Sequence, residues 1–89
     1  MACTVRILPS AERQLADLPR EVRERARAAI RDLAREPRPA PPVGRKLKGA
    51  PHRYRLKLSA YRVIYLLDSA AQEVTVTWVG LRRDAYRDA

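Results

Sequence analysis

The sequence contains one cysteine, Cys3, and one histidine, His52, in 89 residues. A lone cysteine excludes an internal disulfide and points to a reducing compartment, the cytoplasm. Long apolar runs are also missing. The longest aliphatic and aromatic stretch is Val63 to Leu67, far short of the ~18 residues a spanning helix needs. The first residues, Met1 to Arg6, carry no apolar core of a signal peptide. A chain of this length is expected to form one small domain over 1–89. Such a domain buries only roughly 60–65% of its unfolded surface, which leaves little room for a deep pocket.

A third absence is local. Between Glu36 and Asp68 there is no carboxylate. The interval holds eight basic residues: Arg38, Arg45, Lys46, Lys48, Arg53, Arg55, Lys57 and Arg62. The whole chain has 19 basic and 10 acidic residues, net +9, so the rest carries 11 against 10, net +1. Sixteen of the nineteen are arginine, as codon bias in a GC-rich genome also produces. Such bias does not strip Asp and Glu from one third of a chain. The asymmetry therefore points to a dedicated surface for a polyanion.

Periodicity supplies the elements. Cys3 to Leu8 alternates weakly and reads as a strand, with Pro9 ending it and Ser10 as the N-cap of a first helix. Ala11, Leu15 and Leu18 recur at helical spacing up to Pro19. A second helix is expected from Arg20 to Arg35, with Val22, Ala26, Ala29, Ile30 and Leu33 as its apolar stripe. Four prolines between Glu36 and Gly44 leave only an extended loop there. The period then switches to two. Strands are expected over Lys46 to Lys48, His52 to Leu58, Tyr61 to Leu67 and Glu73 to Val79, with Gly80 ending the last. The tail, Leu81 to Ala89, allows one helical turn. The order is β-αα-ββββ, an α+β domain with a helical hairpin on one face of a small, mainly antiparallel sheet.

Ser59 and Ala60 join the third and fourth strands. A two-residue turn places Lys57 opposite Arg62 and Arg55 opposite Ile64. Arg55, Lys57 and Arg62 then share a face away from Tyr54, Leu56, Leu58, Val63 and Leu67. Directly opposed like charges destabilise a sheet, and an anion between them relieves the repulsion. The bland alternative is a solvated sheet face. No carboxylate, His or Cys cluster accompanies these cations, so neither a metal site nor a Ser-His-Asp set is indicated. What remains is chemistry on phosphate without metal or other cofactor. Arg and Lys hold the phosphate and stabilise developing charge, and RNA supplies its own 2′-hydroxyl nucleophile. Arg cannot act as a base. Lys57 is the candidate base, on the condition that neighbouring positive charge favours its neutral amine. His52 reads as a loop residue and Cys3 as a packed one. Trp78 alternates with Val74 and Val76 and is expected in the core.

Three segments carry a resemblance. They are Lys46-Leu47-Lys48-Gly49, then Tyr54-Arg55-Leu56-Lys57-Leu58 with Tyr61-Arg62-Val63-Ile64-Tyr65, and Val79-Gly80-Leu81-Arg82-Arg83-Asp84-Ala85-Tyr86. Together they resemble the RelE/ParE superfamily of bacterial toxins, specifically its RelE-like ribosome-dependent mRNA interferases. The resemblance covers essentially the whole chain and implies roles for particular residues. Arg55 and Lys57 would contact mRNA near the scissile phosphate, with Arg45, Arg53 and Arg83 as further RNA contacts. Arg62 would bind that phosphate and stabilise the pentavalent transition state, and Arg82 would do the same or help the leaving 5′-oxygen depart. Tyr86 would orient or stack on the substrate, or transfer a proton. Lys46 and Lys48 would bind ribosomal RNA. The implied partners are a RelB-like antitoxin and the 70S ribosome, with its 16S rRNA and mRNA; no membrane or metal is implied. Two departures stand out: Leu81 occupies a position where many relatives have His, and Arg55 one where Lys is more versatile. Two other readings share the sequence: a ParE-like toxin that poisons DNA gyrase without nuclease activity, and a non-catalytic RNA-binding domain.

Overall fold

The computed structural model describes residues 2–41, 43–49 and 52–85. Strand β1 (Thr4–Ile7) leads into helices α1 (Pro9–Ala16) and α2 (Arg20–Asp32), followed by β2 (Gly44–Lys46), β3 (Arg53–Leu58), β4 (Tyr61–Asp68) and β5 (Glu73–Leu81). A 3₁₀ turn, Arg82–Asp84, follows β5. The five strands form one sheet in the order β1-β5-β4-β3-β2. Only the β1–β5 pair is parallel. This is the α+β architecture that the periodicity implies, with the first strand and the Lys46 strand at the two edges.

Both helices pack on one face of the sheet. Ala11, Leu15 and Leu18 from the first helix and Ala26, Ile30 and Leu33 from the second meet Leu56, Val63, Tyr65, Leu67, Val74, Val76 and Val79. Burial of this apolar stripe, rather than helix propensity, holds such short helices in place. No helix among the described residues is long and apolar enough to cross a membrane.

Several boundaries differ from the sequence reading, each for a local reason. Helix α1 begins at Pro9, not after Ser10, and Leu8 precedes it without a side-chain cap. Proline is pre-set for the first helical position, where its missing N–H costs nothing. Helix α2 ends at Asp32 rather than Arg35. Beyond it the backbone tightens, with Leu33 N–H donating to Ile30 O (3.1 Å) and Ala34 N–H to Arg31 O (3.1 Å). Ala34 O in turn accepts from Cys3 N–H at 2.7 Å, tying the helix end to the strand side. Strand β2 lies two residues earlier than expected, over Gly44–Lys46, and Lys48 falls in the turn after it. Gly44 explains the shift. A Cβ there would lie 2.5 Å from the Pro39 carbonyl oxygen, so only glycine lets the proline loop cross this close to the sheet.

The last strand departs most. It runs through Gly80 to Leu81, and a β-bulge interrupts its pairing with β4. Ile64 pairs with Trp78, but Tyr65 pairs with Val76, leaving Thr77 as the extra residue. Thr77 Oγ1 donates to Ile64 O at 3.3 Å across the gap. The bulge reverses the alternation, so Trp78 shares a face with Ile64 and not with Val74 and Val76. Trp78 is half-buried and belongs to no part of the hydrophobic core. Its expected place in the core is therefore corrected.

Candidate nucleic-acid interface

The basic residues converge because of the β3–β4 hairpin. Its turn is Ser59-Ala60, with φ of +57° at Ser59, the left-handed value required at the first central residue of a type II′ turn. The two-residue turn fixes the register: Lys57 faces Arg62, Arg55 faces Ile64 and Arg53 faces Leu66. On the outer side Arg45 faces Arg55. Cross-strand partners share a face. Arg45, Arg55, Ile64 and Trp78 thus make one row across the sheet, and Lys57, Arg62 and Gly80 the next. This face is opposite the helices.

Arg62 differs from its neighbours. It is only 6% exposed. Its Nη1 donates to Ser59 O at 2.7 Å and to Tyr61 O at 2.8 Å. The turn's own carbonyls therefore fix the guanidinium and offset part of the cost of burying its charge. Lys57, Arg82 and Arg83 are exposed, and Arg55 is half-buried. Arg82 N–H donates to Ala60 O at 2.8 Å, which seats the 3₁₀ turn beside the hairpin.

These elements enclose an open depression of about 700 Å³, lined by Arg55, Lys57, Arg62, Arg82 and Arg83 with Ser59, Ala60 and Leu81. No carboxylate is among its lining residues. Such a cluster can hold a phosphate through several charge-assisted hydrogen bonds and stabilise charge that develops on it. Among the described residues no three of His, Cys, Asp and Glu gather as metal ligands would.

The structure thus brings together Arg55, Lys57, Arg62, Arg82 and Arg83. Arg53 and Arg45 share the same face but lie outside the depression. Lys46 pairs with Tyr54, which places it on the helix side at the β2 edge, and Lys48 is exposed in the following turn. Tyr86 lies outside the described residues. Sequence reasoning missed Trp78 and Gly80 on this face. Nothing in the period-two pattern marks where a bulge falls.

The helix face of the same two strands carries a tyrosine pair. Tyr65 is fully buried, stacks on Tyr54 (ring centroids 5.6 Å apart, planes 16° apart) and donates its hydroxyl to Pro37 O at 2.7 Å. Burial, and then the neighbouring Tyr54, push the Tyr65 phenol above its ordinary value.

Comparison with known proteins adds to this geometry. The family model for the ParE toxin of type II toxin-antitoxin system, parDE, matches residues 5–86. The archaeal RelE–RelB complex from Pyrococcus horikoshii OT3 is similar at 27% identity with a TM-score of 0.82, over 96% of this chain and 100% of that one. The isolated RelE toxin of E. coli is similar at 27% identity and TM-score 0.78, over 98% and 94% of the two chains. The RelBE2 toxin-antitoxin complex from Mycobacterium tuberculosis gives 27% and 0.77, over 92% and 100%. The search of curated proteins found no match.

Proposed function

We propose a ribonuclease activity for this chain, which belongs to the ParE toxin family of type II toxin–antitoxin systems. Within the RelE/ParE superfamily we read it as RelE-like, an endoribonuclease that cleaves mRNA in the ribosomal A site. The observation that carries this reading is the depression lined by Arg55, Lys57, Arg62, Arg82 and Arg83 with no carboxylate beside them.

In the proposed reaction the 2′-hydroxyl oxygen of the substrate forms a bond to the adjacent phosphorus as its proton leaves. The bond from phosphorus to the 5′-oxygen breaks, and that oxygen takes up a proton. The products are a 2′,3′-cyclic phosphate and a 5′-hydroxyl end. Lys57 accepts the first proton. Arg62, already oriented by the Ser59 and Tyr61 carbonyls, and Arg82 neutralise the charge that grows on the phosphate oxygens. Fixing the donors before reaction avoids reorganisation during it. Tyr86 orients the substrate, and Arg45, Arg53, Arg55 and Arg83 hold the RNA backbone. Lys46, on the helix side of the β2 edge, and Lys48, in the turn that follows, meet the ribosomal RNA of the 70S particle.

The relative from M. tuberculosis is a toxin–antitoxin complex and the one from P. horikoshii a RelE–RelB complex. By that likeness the partner of this toxin is a RelB-like antitoxin, an acidic or amphipathic segment that wraps the toxin, and the basic face suits it electrostatically. Toxin and target then share the cytoplasm.

The test is cleavage of an mRNA in EDTA, with and without ribosomes paused with an empty A site, followed by mapping of the fragment ends. Cuts made on the ribosome and ending in cyclic phosphate are the expected result. The match to the ParE family model favours a second reading, a gyrase-directed toxin without nuclease activity. Intact mRNA together with accumulating cleaved DNA in poisoned cells would establish that one instead.

A further inference from the structure

We propose that Trp78 is the stacking platform for the nucleobase next to the phosphate held at Lys57 and Arg62. This rests on the nuclease reading above and extends it to a residue outside the basic cluster.

Four observations lead to it. The bulge at Thr77 turns Trp78 out of the core and onto the basic face, in the row of Arg45, Arg55 and Ile64. A large aromatic ring taken out of a core of this size has an apolar face left to satisfy. Second, the ring reaches along β5 to Gly80. A Cβ on Gly80 would come within 2.8 Å of two ring carbons, so the indole lies against bare backbone. Gly80 pairs with Arg62, and paired strands lie about 4.8 Å apart. The indole therefore lies against the residue that pairs with Arg62.

Third, Trp78 opens onto a second depression of about 440 Å³ on the α1 side of β5, shared with Gln14, Asp17, Tyr61 and Asp84. This space exists because β1 stops at Ile7, opposite Val76, and leaves the rest of the β5 edge to helix α1. Gln14 covers part of that edge, its Oε1 accepting from Val79 N–H at 2.8 Å. Fourth, the charges divide. The first depression is lined by five cations and no carboxylate. The second has two carboxylates, Asp17 and Asp84, and no cation in its lining. Phosphate is favoured in the first and repelled from the second. The two meet at Leu81, which lines both. A nucleotide across Leu81 leaves its phosphate among the arginines and its uncharged base against Trp78. Stacking on an indole suits any base, since each has a π-face.

Trp78 is the sole tryptophan, so its emission reports its own surroundings. The full chain is titrated at low salt with a fluorescein-labelled 2′-deoxy oligonucleotide, which cannot be cut by 2′-hydroxyl attack. Label anisotropy reports binding and tryptophan emission reports stacking. Inorganic polyphosphate serves as the baseless control. Binding with quenched emission, and no quenching by polyphosphate, is expected. Trp78→Phe is expected to keep affinity within about threefold and Trp78→Ala to lose about tenfold, with both variants first checked for a parental thermal transition. Binding without quenching, or unchanged affinity in Trp78→Ala, overturns the stacking role while the basic-face reading stands. No binding of either polyanion overturns both.

Discussion

Lys57 and Arg62 face each other directly across the β3–β4 hairpin, two like charges where a sheet ordinarily places opposite ones. The arrangement persists because they are held differently. Arg62 is anchored by the carbonyls of Ser59 and Tyr61 at 2.7 and 2.8 Å, while Lys57 is exposed to solvent. One charge belongs to the framework of the turn and the other to whatever approaches it.

That division predicts two different variants. Arg62→Ala leaves two carbonyls without their charged donor and is expected to cost about 2 kcal/mol of stability along with cleavage. Lys57→Ala is expected to stay within about 0.5 kcal/mol of the parent while losing cleavage. Denaturant melts and the ribosome cleavage assay, run on both variants, check this. Parental cleavage by Lys57→Ala would remove that lysine from the mechanism.

Binding of single-stranded RNA to the basic face is expected to weaken steeply with salt. Each phosphate contact contributes about −0.7 to the slope of log K against log salt concentration. Arg55→Ala, Arg82→Ala and Arg83→Ala are each expected to reduce the slope by about that amount. Affinity measured across a salt series decides; a slope unchanged in all three would place the RNA elsewhere.

Gly80→Ala sets a methyl group against the Trp78 ring, at 2.8 Å before any relaxation. The expected loss is about 1–3 kcal/mol, as for other overpacked sites. Adding Trp78→Ala removes the clash, so the double variant is expected to be less destabilised than the sum of the two singles. Strict additivity in the double-mutant cycle would mean that the ring does not lie where described.

Tyr65→Phe removes the hydroxyl that donates to Pro37 O and is expected to cost about 1 kcal/mol. The effect depends on pH. The phenol is raised above its ordinary 10.0 in the folded chain, so the unfolded chain releases the proton first. The stability this group contributes is complete below pH 10.0 and is lost as pH rises above it. The parent is therefore expected to lose stability faster than Tyr65→Phe in that range. Parallel alkaline melts of the two proteins measure the difference.

Much of this protein was written locally. The apolar stripes of Ala11, Leu15 and Leu18 and of Ala26, Ile30 and Leu33 specify the two helices, because burial follows the 3.6-residue period. The period of two across Tyr54 to Leu58 and Tyr61 to Leu67, with only Ser59 and Ala60 between, specifies the hairpin and hence the opposition of Lys57 and Arg62. The lack of carboxylates from 37 to 67 marks the basic segment. Tertiary structure decided the rest. It buried Arg62 under carbonyls of its own turn, an outcome that no pattern of charge distinguishes from exposure. It moved β2 to Gly44, because the proline loop must pass against the sheet there. It put Lys46 on the helix side, because Lys46 pairs with Tyr54, which packs against the core. And it inserted one unpaired residue at Thr77, which carried Trp78 from the core to the basic face. Local patterns set alternation within a strand; only the pairing with a neighbour sets where that alternation slips.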